Sequence, residues 1–536
     1  MRRTGILLPL SSLPSPYGIG SMGAAAREFV DFLDQAGQSC WQLLPLGPTS
    51  FGDSPYQAFS SYAGNPYFID LDDLALEGLL RPEEYQDLPW GEDPARVDYG
   101  ILYQNRFPVL RAAVRRLLRQ DWDGLTAFCR QQKDWLADYA LFMALKYRHG
   151  GTSWDQWPRE ERLRQPQAMA RARESLRGEI AFWEGVQYLF FRQWDRLKGY
   201  ANRRGISIIG DLPIYVANDS VDVWASPEQF QLDEDGRPTH VSGCPPDAFA
   251  PDGQLWGNHL FDWEGMKQDG YRWWIRRIAH QFTLYDTLRI DHFRGFDEYY
   301  AVPAGDTTAR NGHWRPGPGI AFFRAVEDAL GPRDIIAEDL GFLTDTVLQL
   351  LEDSGYPGMK VLQFAFGSRD EGGPYLPHTY PKNAVVYTGT HDNEPIAGWV
   401  ENASPGELEF ARDYLRINKE EGWCRGMMRS AWASPADLSV IQFQDLLGLG
   451  NEARMNTPST TGANWQWRTL PGTFPASLAR ELRAEARTFQ RLSPRGRERL
   501  VREAEAAAAA ARAAAEAAAK AEAAAAEVEE IPEAEG

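Results

Sequence analysis

Eight short apolar runs, each opening into Gly, Asp, Pro or Thr, constrain this chain more than any other feature. They are "GILLPLSSL" (5–13), "WQLLPLGPT" (41–49), "GISIIGDLPIYV" (205–216), "TLRIDHFRGF" (287–296), "DIIAEDLGF" (334–342), "GMKVLQFAF" (358–366), "NAVVYTGTHDNE" (383–394) and "LSVIQFQDLLG" (438–448). Runs of this kind read as buried parallel strands at the point where they open into loops. Helical patterns fill several of the gaps. Before the fourth run, Tyr271, Trp274, Ile275, Ile278 and Phe282 fall at i, i+3, i+4, i+7 and i+11, which predicts one apolar stripe. Eight strands alternating with helices predict an α/β fold, a (β/α)8 TIM barrel, with its active site at the C-terminal strand ends.

Two gaps are too long for simple barrel connections. Residues 50–204 carry helical pattern, as in "RFPVLRAAVRRLLRQ", and predict an inserted helical subdomain. Residues 217–267 are rich in Asp, Pro, Gly and Trp and predict an irregular insertion over the barrel mouth. These belong with the barrel to one catalytic unit, 1–502. From 503 the chain reads "EAEAAAAAARAAAEAAAKAEAAAAEVEEIPEAEG". Ala favours helix, and Arg512, Glu516 and Lys520 sit four apart, but no large side chain offers a face to pack. A solvated helical or disordered tail over 503–536 is expected.

The net charge of −19 and pI near 5.0 argue against nucleic acid or an anionic membrane as the main partner, because both require basic patches. A neutral substrate fits. Nineteen Trp supply flat faces that fill core volume and can stack on sugar rings. Cys40, Cys129, Cys244 and Cys424 are far apart, without a C-x-x-C pair, which suggests neither zinc nor a disulfide framework and fits a reducing cytoplasm. The first apolar run is too short for a signal peptide or a membrane span.

The strand ends carry the chemistry. Side chains alternate along a strand, so burying Leu288 and Ile290 against helices points Arg289 and Asp291 into the barrel. A guanidinium beside a carboxylate favours the ionised form, and an ionised Asp at a barrel mouth can act as a nucleophile. A buried Arg–Asp pair that merely closes the barrel is the alternative. Glu338 ends the fifth run, and Asp392 stands beside His391 at the end of the seventh. Singly, each acid could cap the following helix. Three acids facing one cavity are better explained by glycosidic cleavage, which needs two carboxyl groups flanking one bond.

"GDLPIYVANDS", "LRIDHFRGF", "AEDLG" and "GTHDNEP" resemble the strand-end signatures of the α-amylase superfamily, in the form found in the 4-α-glucanotransferases called amylomaltases or disproportionating enzymes. "GDSPYQAFSSYAGNPYFIDL" (52–71), "PPDAFAPDGQLWGNHLFDW" (245–263) and "NEARMNTPSTTGANWQWR" (451–468) resemble that family more narrowly. The likeness runs from about residue 4 to 490, and the Ala-rich tail departs from it. The resemblance implies a retaining double displacement in which Asp291 attacks the anomeric carbon, Glu338 acts as acid and then base, and Asp392 grips the donor sugar. It implies stacking by Tyr56 and Trp256, and hydroxyl binding or acid positioning by Asp211, Gln254, Arg289, His391 and Asn464. Arg289 is expected to keep Asp291 ionised while nearby negative charge holds a proton on Glu338.

No metal or organic cofactor is required. The spacing of His292, His391 and the acids resembles no helix-borne ligand pair, and His292 is not expected to touch substrate. The expected partners are α-1,4-glucans and glucose, with no nucleic acid or membrane, for a monomer or weak homo-oligomer. An α-amylase-type hydrolase would use the same acids, with water as acceptor. The long loop around 245–260 favours transfer by covering the acceptor side. A non-catalytic glucan-binding barrel is the rival from another class, and the presence of all three acids argues against it.

Overall fold

The computed structural model describes residues 2–50, 52–246, 251–341, 343–367, 369 and 373–529. Residues 247–250 of the loop motif, Phe342 of the fifth run and the end of the tail from 530 lie outside the described residues. In chain order the strands are β1 (Arg3–Leu7), β2 (Cys40–Gln42), β3 (Ser207–Leu212), β4 (His240–Cys244), β5 (Gln254–His259) and β6 (Thr287–Ile290). They continue with β7 (Glu298–Pro303), β8 (His313–Pro316), β9 (Ile335–Ala337), β10 (Gly358–Val361), β11 (Ala384–Tyr387) and β12 (Leu438–Gln442).

All eight predicted strands form. β1, β2, β3, β6, β9, β10, β11 and β12 pair in parallel in that order, and β1 also pairs with β12 to close the barrel. Helices cover the outside. The helix Arg272–Leu284 buries Trp274 and Ile278 as its apolar spacing predicts, yet its inner face also includes Arg277 and Gln281. Arg277 donates to the carbonyls of Pro213 and Ile214, and Gln281 to that of Ser61. The buried stripe is therefore turned from the expected one. Backbone carbonyls of the β3 loop and of the chain near Ser61 need donors there, and two long polar side chains supply them.

Residues 50–204 are largely helical, with long helices at Tyr99–Gln120, Leu136–Arg148 and Arg177–Arg203. The last spans about 40 Å. It packs on the barrel through Trp194, whose Nε1 donates to the Leu284 carbonyl, while its first half packs against the other helices. A single set of buried side chains runs from barrel to insertion. Residues 217–267 are more regular than expected. β5, β4, β7 and β8 form an antiparallel sheet, half of it drawn from the chain after β6.

The tail begins earlier than its composition suggests, in one helix from Pro494 to Glu529. Arg495 and Arg499 reach Asp34 at 3.2 and 2.7 Å and dock its first turns on the barrel. Every side chain from 503 to 523 is exposed. Truncation after residue 502 removes the partly exposed Arg483–Glu503 pair, a contact worth about 0–1 kcal/mol, and every side chain described beyond it is exposed. The shortened chain should keep full turnover and melt within about 3 °C of the complete one by calorimetry. A larger fall would mean that the exposed helix docks elsewhere in solution.

Candidate active site

Barrel register builds the site. Asp211 of β3 lies opposite Arg289 of β6, and Ile290 of β6 opposite Ala337 of β9. The next residues, Asp291 and Glu338, therefore stand at adjacent strand ends. The Asp291 amide donates to the Leu212 carbonyl and the Glu338 amide to that of Ile290, each at 3.0 Å. Arg289 points inward as alternation requires. Its Nη1 donates to both oxygens of Asp211 at 2.7 Å and to Oδ1 of Asp291 at 3.1 Å.

Contacts continue across the mouth. The Tyr56 hydroxyl donates to Asp211 Oδ2 at 2.7 Å. Its ring stacks on His391 at 5.0 Å, with Trp465 tilted against it at 5.8 Å. His391 Nε2 comes within 3.4 Å of Asp392 Oδ2. Burial lowers the His391 pKa, so the ring is neutral near neutral pH and its approach to Asp392 is not an ion pair. Asp392 accepts from Asn456 Nδ2 at 2.6 Å, and its carbonyl accepts from Arg454 at 2.7 Å. The side chain of Asp291 is 30 % exposed and that of Asp392 41 %, so both reach the open mouth from a buried floor.

Glu338 is gripped by backbone. Its Oε2 accepts from the His292 amide at 2.7 Å and its Oε1 from the Leu340 amide at 2.8 Å. His292 takes a left-handed conformation, φ 52° and ψ 52°, which is costly for a non-glycine residue and turns its amide toward the acid. Its ring meets the edge of Trp256 at 4.9 Å, and Trp256 Nε1 donates to Gln254 Oε1 at 3.1 Å. The antiparallel sheet thereby carries Trp256 to the loop that follows Asp291.

Two carboxyl groups, Asp211 and Asp291, share one guanidinium here, and two more lie close enough to act on Asp291. Burial pushes Asp291 up to about 8. Arg289 opposes this, while Asp211, Glu338 and Asp392 add to it. Glu338 is also raised by burial, against the pull of Arg289 and its two amides. Arg289 favours the ionised form of Asp291, as expected, but its Nη1 is divided between Asp211 and Asp291, and burial pulls the other way. Burial thus pushes both acids toward the protonated form.

Asn464 is not brought into this cluster. Its amide accepts from the Thr457 amide and donates to Thr460, fastening its own loop. Asn456, in the same sequence motif, is the residue that meets Asp392, and nothing in the sequence distinguishes the two. The roles of the His292 and Leu340 amides had no sequence signal, since any residue supplies an N–H. Gly389 shows how closely the seventh strand end is pressed against the barrel. A Cβ there would lie 2.5 Å from Gln442 Nε2 and 3.0 Å from Gln363 Nε2. Among the described residues, no group of three or more His, Cys, Asp or Glu side chains is arranged to hold a metal ion. No helix among them is long and apolar enough to cross a membrane.

Comparison with known proteins agrees with this geometry. A family model described as 4-alpha-glucanotransferase matches residues 8–472. The 4-alpha-glucanotransferase of Clostridium butyricum is 47 % identical over 484 residues, covering 90 % of this chain and 99 % of the relative. That of Thermus thermophilus is 47 % identical over 504 residues, covering 92 % and 99 %. The structure of amylomaltase from Streptococcus agalactiae in complex with acarbose superposes with a TM-score of 0.90 at 41 % identity, covering 92 % of this chain and all of that one. These relatives are named as transferases, so transfer is supported over the hydrolase alternative. A match over most of its length, to a family model and to relatives that it covers almost completely, makes the chain a glucanotransferase of the 4-alpha-glucanotransferase family.

Proposed function

We propose that the enzyme moves α-1,4-glucan segments from a donor chain to the 4-hydroxyl of an acceptor glucan or glucose, through a covalent glycosyl ester of Asp291. The observation that carries this reading is the placement of Asp291 and Glu338 at adjacent strand ends, with Arg289 joining Asp291 to Asp211. A carboxyl Oδ of Asp291 attacks the anomeric carbon as the bond to the leaving glycosidic oxygen breaks. Glu338 gives that oxygen its proton, and the His292 and Leu340 amides stabilise the carboxylate left behind. In the second half, Glu338 takes the proton of the acceptor hydroxyl as its oxygen displaces Asp291. The anomeric configuration is retained after two inversions.

Asp392, oriented by Asn456, binds hydroxyls of the donor sugar as its ring flattens. Tyr56 stands above the same subsite, tied to Asp211 and stacked on His391. Trp256, oriented by Gln254, lies on the Glu338 side of the site through its contact with His292 and offers a face to the acceptor. Incubation with maltotriose alone, read by chromatography, should give glucose and a ladder of longer chains. Maltose and glucose without longer products would contradict transfer.

Trp256→Ala should weaken acceptor stacking more than bond cleavage. With about 0.5–1.5 kcal/mol for such a ring contact, the ratio of hydrolysis to transfer should rise about two- to tenfold. Free reducing sugar measured beside chain-length distribution gives that ratio. An unchanged ratio would refute the placement of Trp256 on the acceptor side.

A further inference from the structure

The loop that carries His391 and Asp392 is held by one buried carboxylate that the reaction itself does not use. Thr388, directly after β11, donates its hydroxyl to Asp445 Oδ2 at 2.6 Å. Ile396, which starts the helix Ile396–Asn402, donates its amide to Asp445 Oδ1 at 2.7 Å. One side chain thus ties both ends of the segment 388–396. Asp445 sits in the short helix Phe443–Leu447 after β12 and is 1 % exposed, behind the partly exposed Asp392. The same connection reaches the middle of the loop. The Asn456 amide donates to the His391 carbonyl at 3.1 Å, while Asn456 and Arg454 side chains hold Asp392.

A carboxylate is an expensive choice for this position if its task is only to fill space. Burial pushes Asp445 up to about 7, and the groups that oppose this are the Ile396 amide and the Thr388 hydroxyl, with no cation among them. Its two oxygens accept from two donors that lie at the two ends of one functional loop. Loss of both bonds would let the loop drift while β11 and the helix Ile396–Asn402 stay folded on their own packing. Misplacement of a catalytic group by about 1 Å can cost about a hundredfold in rate.

We propose that Asp445 is a positioning residue that holds the Asp392 loop in its reactive place by tying Thr388 and Ile396 together. This rests on the role of Asp392 given above. Because Asp392 is assigned contacts that strengthen as the donor ring flattens, a misplaced loop should lower kcat and leave KM little changed.

The test is a double-mutant cycle with maltotriose as substrate, read as kcat and KM, beside melting curves. Asp445→Ala should lower kcat about ten- to a hundredfold with little change in KM. Asp445→Asn, whose oxygen still accepts from Ile396 and whose amide can donate to the Thr388 hydroxyl oxygen, should recover most of it. In an Asp392→Asn background, Asp445→Ala should cost less than about twofold, because a residue acting through another loses its effect when that other is gone. Equal costs in both backgrounds, or a lower melting temperature with unchanged kcat, would overturn the proposal. If Asp445→Ala does not fold, Thr388→Val, which removes one of the two ties, is read in the same cycle by the same criteria. An Asp392→Asn variant with wild-type kcat would overturn the role of Asp392 and this proposal with it, whereas additive costs overturn this proposal alone.

Discussion

Asp291→Asn should abolish transfer from maltotriose, by at least about a thousandfold in kcat, while the melting temperature holds. The amide has nearly the shape of the carboxyl, so its oxygen can keep the 3.1 Å contact with Arg289, and the backbone bond to Leu212 is untouched. What it lacks is the negative charge that makes a carboxylate oxygen nucleophilic, and attack through an amide oxygen would give an unstable imidate in place of the ester. Removing one of several crowded carboxyl groups also relieves repulsion, so the variant should be no less stable than the parent. A kcat above about a tenth of wild type would show that another group is the nucleophile.

Glu338→Gln should lower kcat on maltotriose by roughly a hundred- to ten-thousandfold and still consume α-glucosyl fluoride, whose leaving group needs no proton. Its structural effect should differ from that of Asp291→Asn. Both Glu338 oxygens accept backbone amides, and the side-chain NH2 of Gln must face one of these donors, at a cost of about 1–3 kcal/mol. A lower melting temperature is therefore expected with this variant. The pH profile adds a sign. The active free enzyme needs one proton on the Asp291–Glu338 pair, and burial raises both carboxyl groups, so kcat/KM on maltotriose should fall as pH rises and the pair gives up that proton, above the ordinary carboxylate range. With glucosyl fluoride the Gln variant needs no such proton, and its profile should lack that fall. A fall on the alkaline side that persists with the variant would assign it to another group.

The barrel was legible because buried parallel strands are apolar along their length and end in loop-forming residues. "GISIIGDL" and "NAVVYTG" show this pattern plainly. Alternation then placed Arg289 and Asp291 inward. The antiparallel sheet was not legible. β4 and β5 are interrupted by Gly243 and Gly257, and their partners β7 and β8 come from beyond the catalytic strand, so no local pattern announces the pairing. Arg277 and Gln281 read as the solvent face of a helix, yet they are buried because they satisfy carbonyls of distant segments. Asp445 followed the same logic in reverse. It looks like an ordinary helix-start acid in "FQDLLG", and only tertiary contact reveals that its two donors bracket the Asp392 loop.

The central claim is that a sugar becomes covalently attached to Asp291, and mass spectrometry of the attached species tests it most directly. Glu338→Gln enzyme treated with α-glucosyl fluoride should accumulate the glycosyl ester, because the fluoride leaves unaided while the base for the second step is missing. After rapid acid quench and digestion, the peptide that contains Thr287–Phe296 should carry one added glucosyl unit, with fragment ions placing it on Asp291. Addition of maltose together with azide, a nucleophile that needs no base, should clear the label. A glucosyl unit on any other residue, or fluoride release with no labelled peptide at any quench time, would contradict the account.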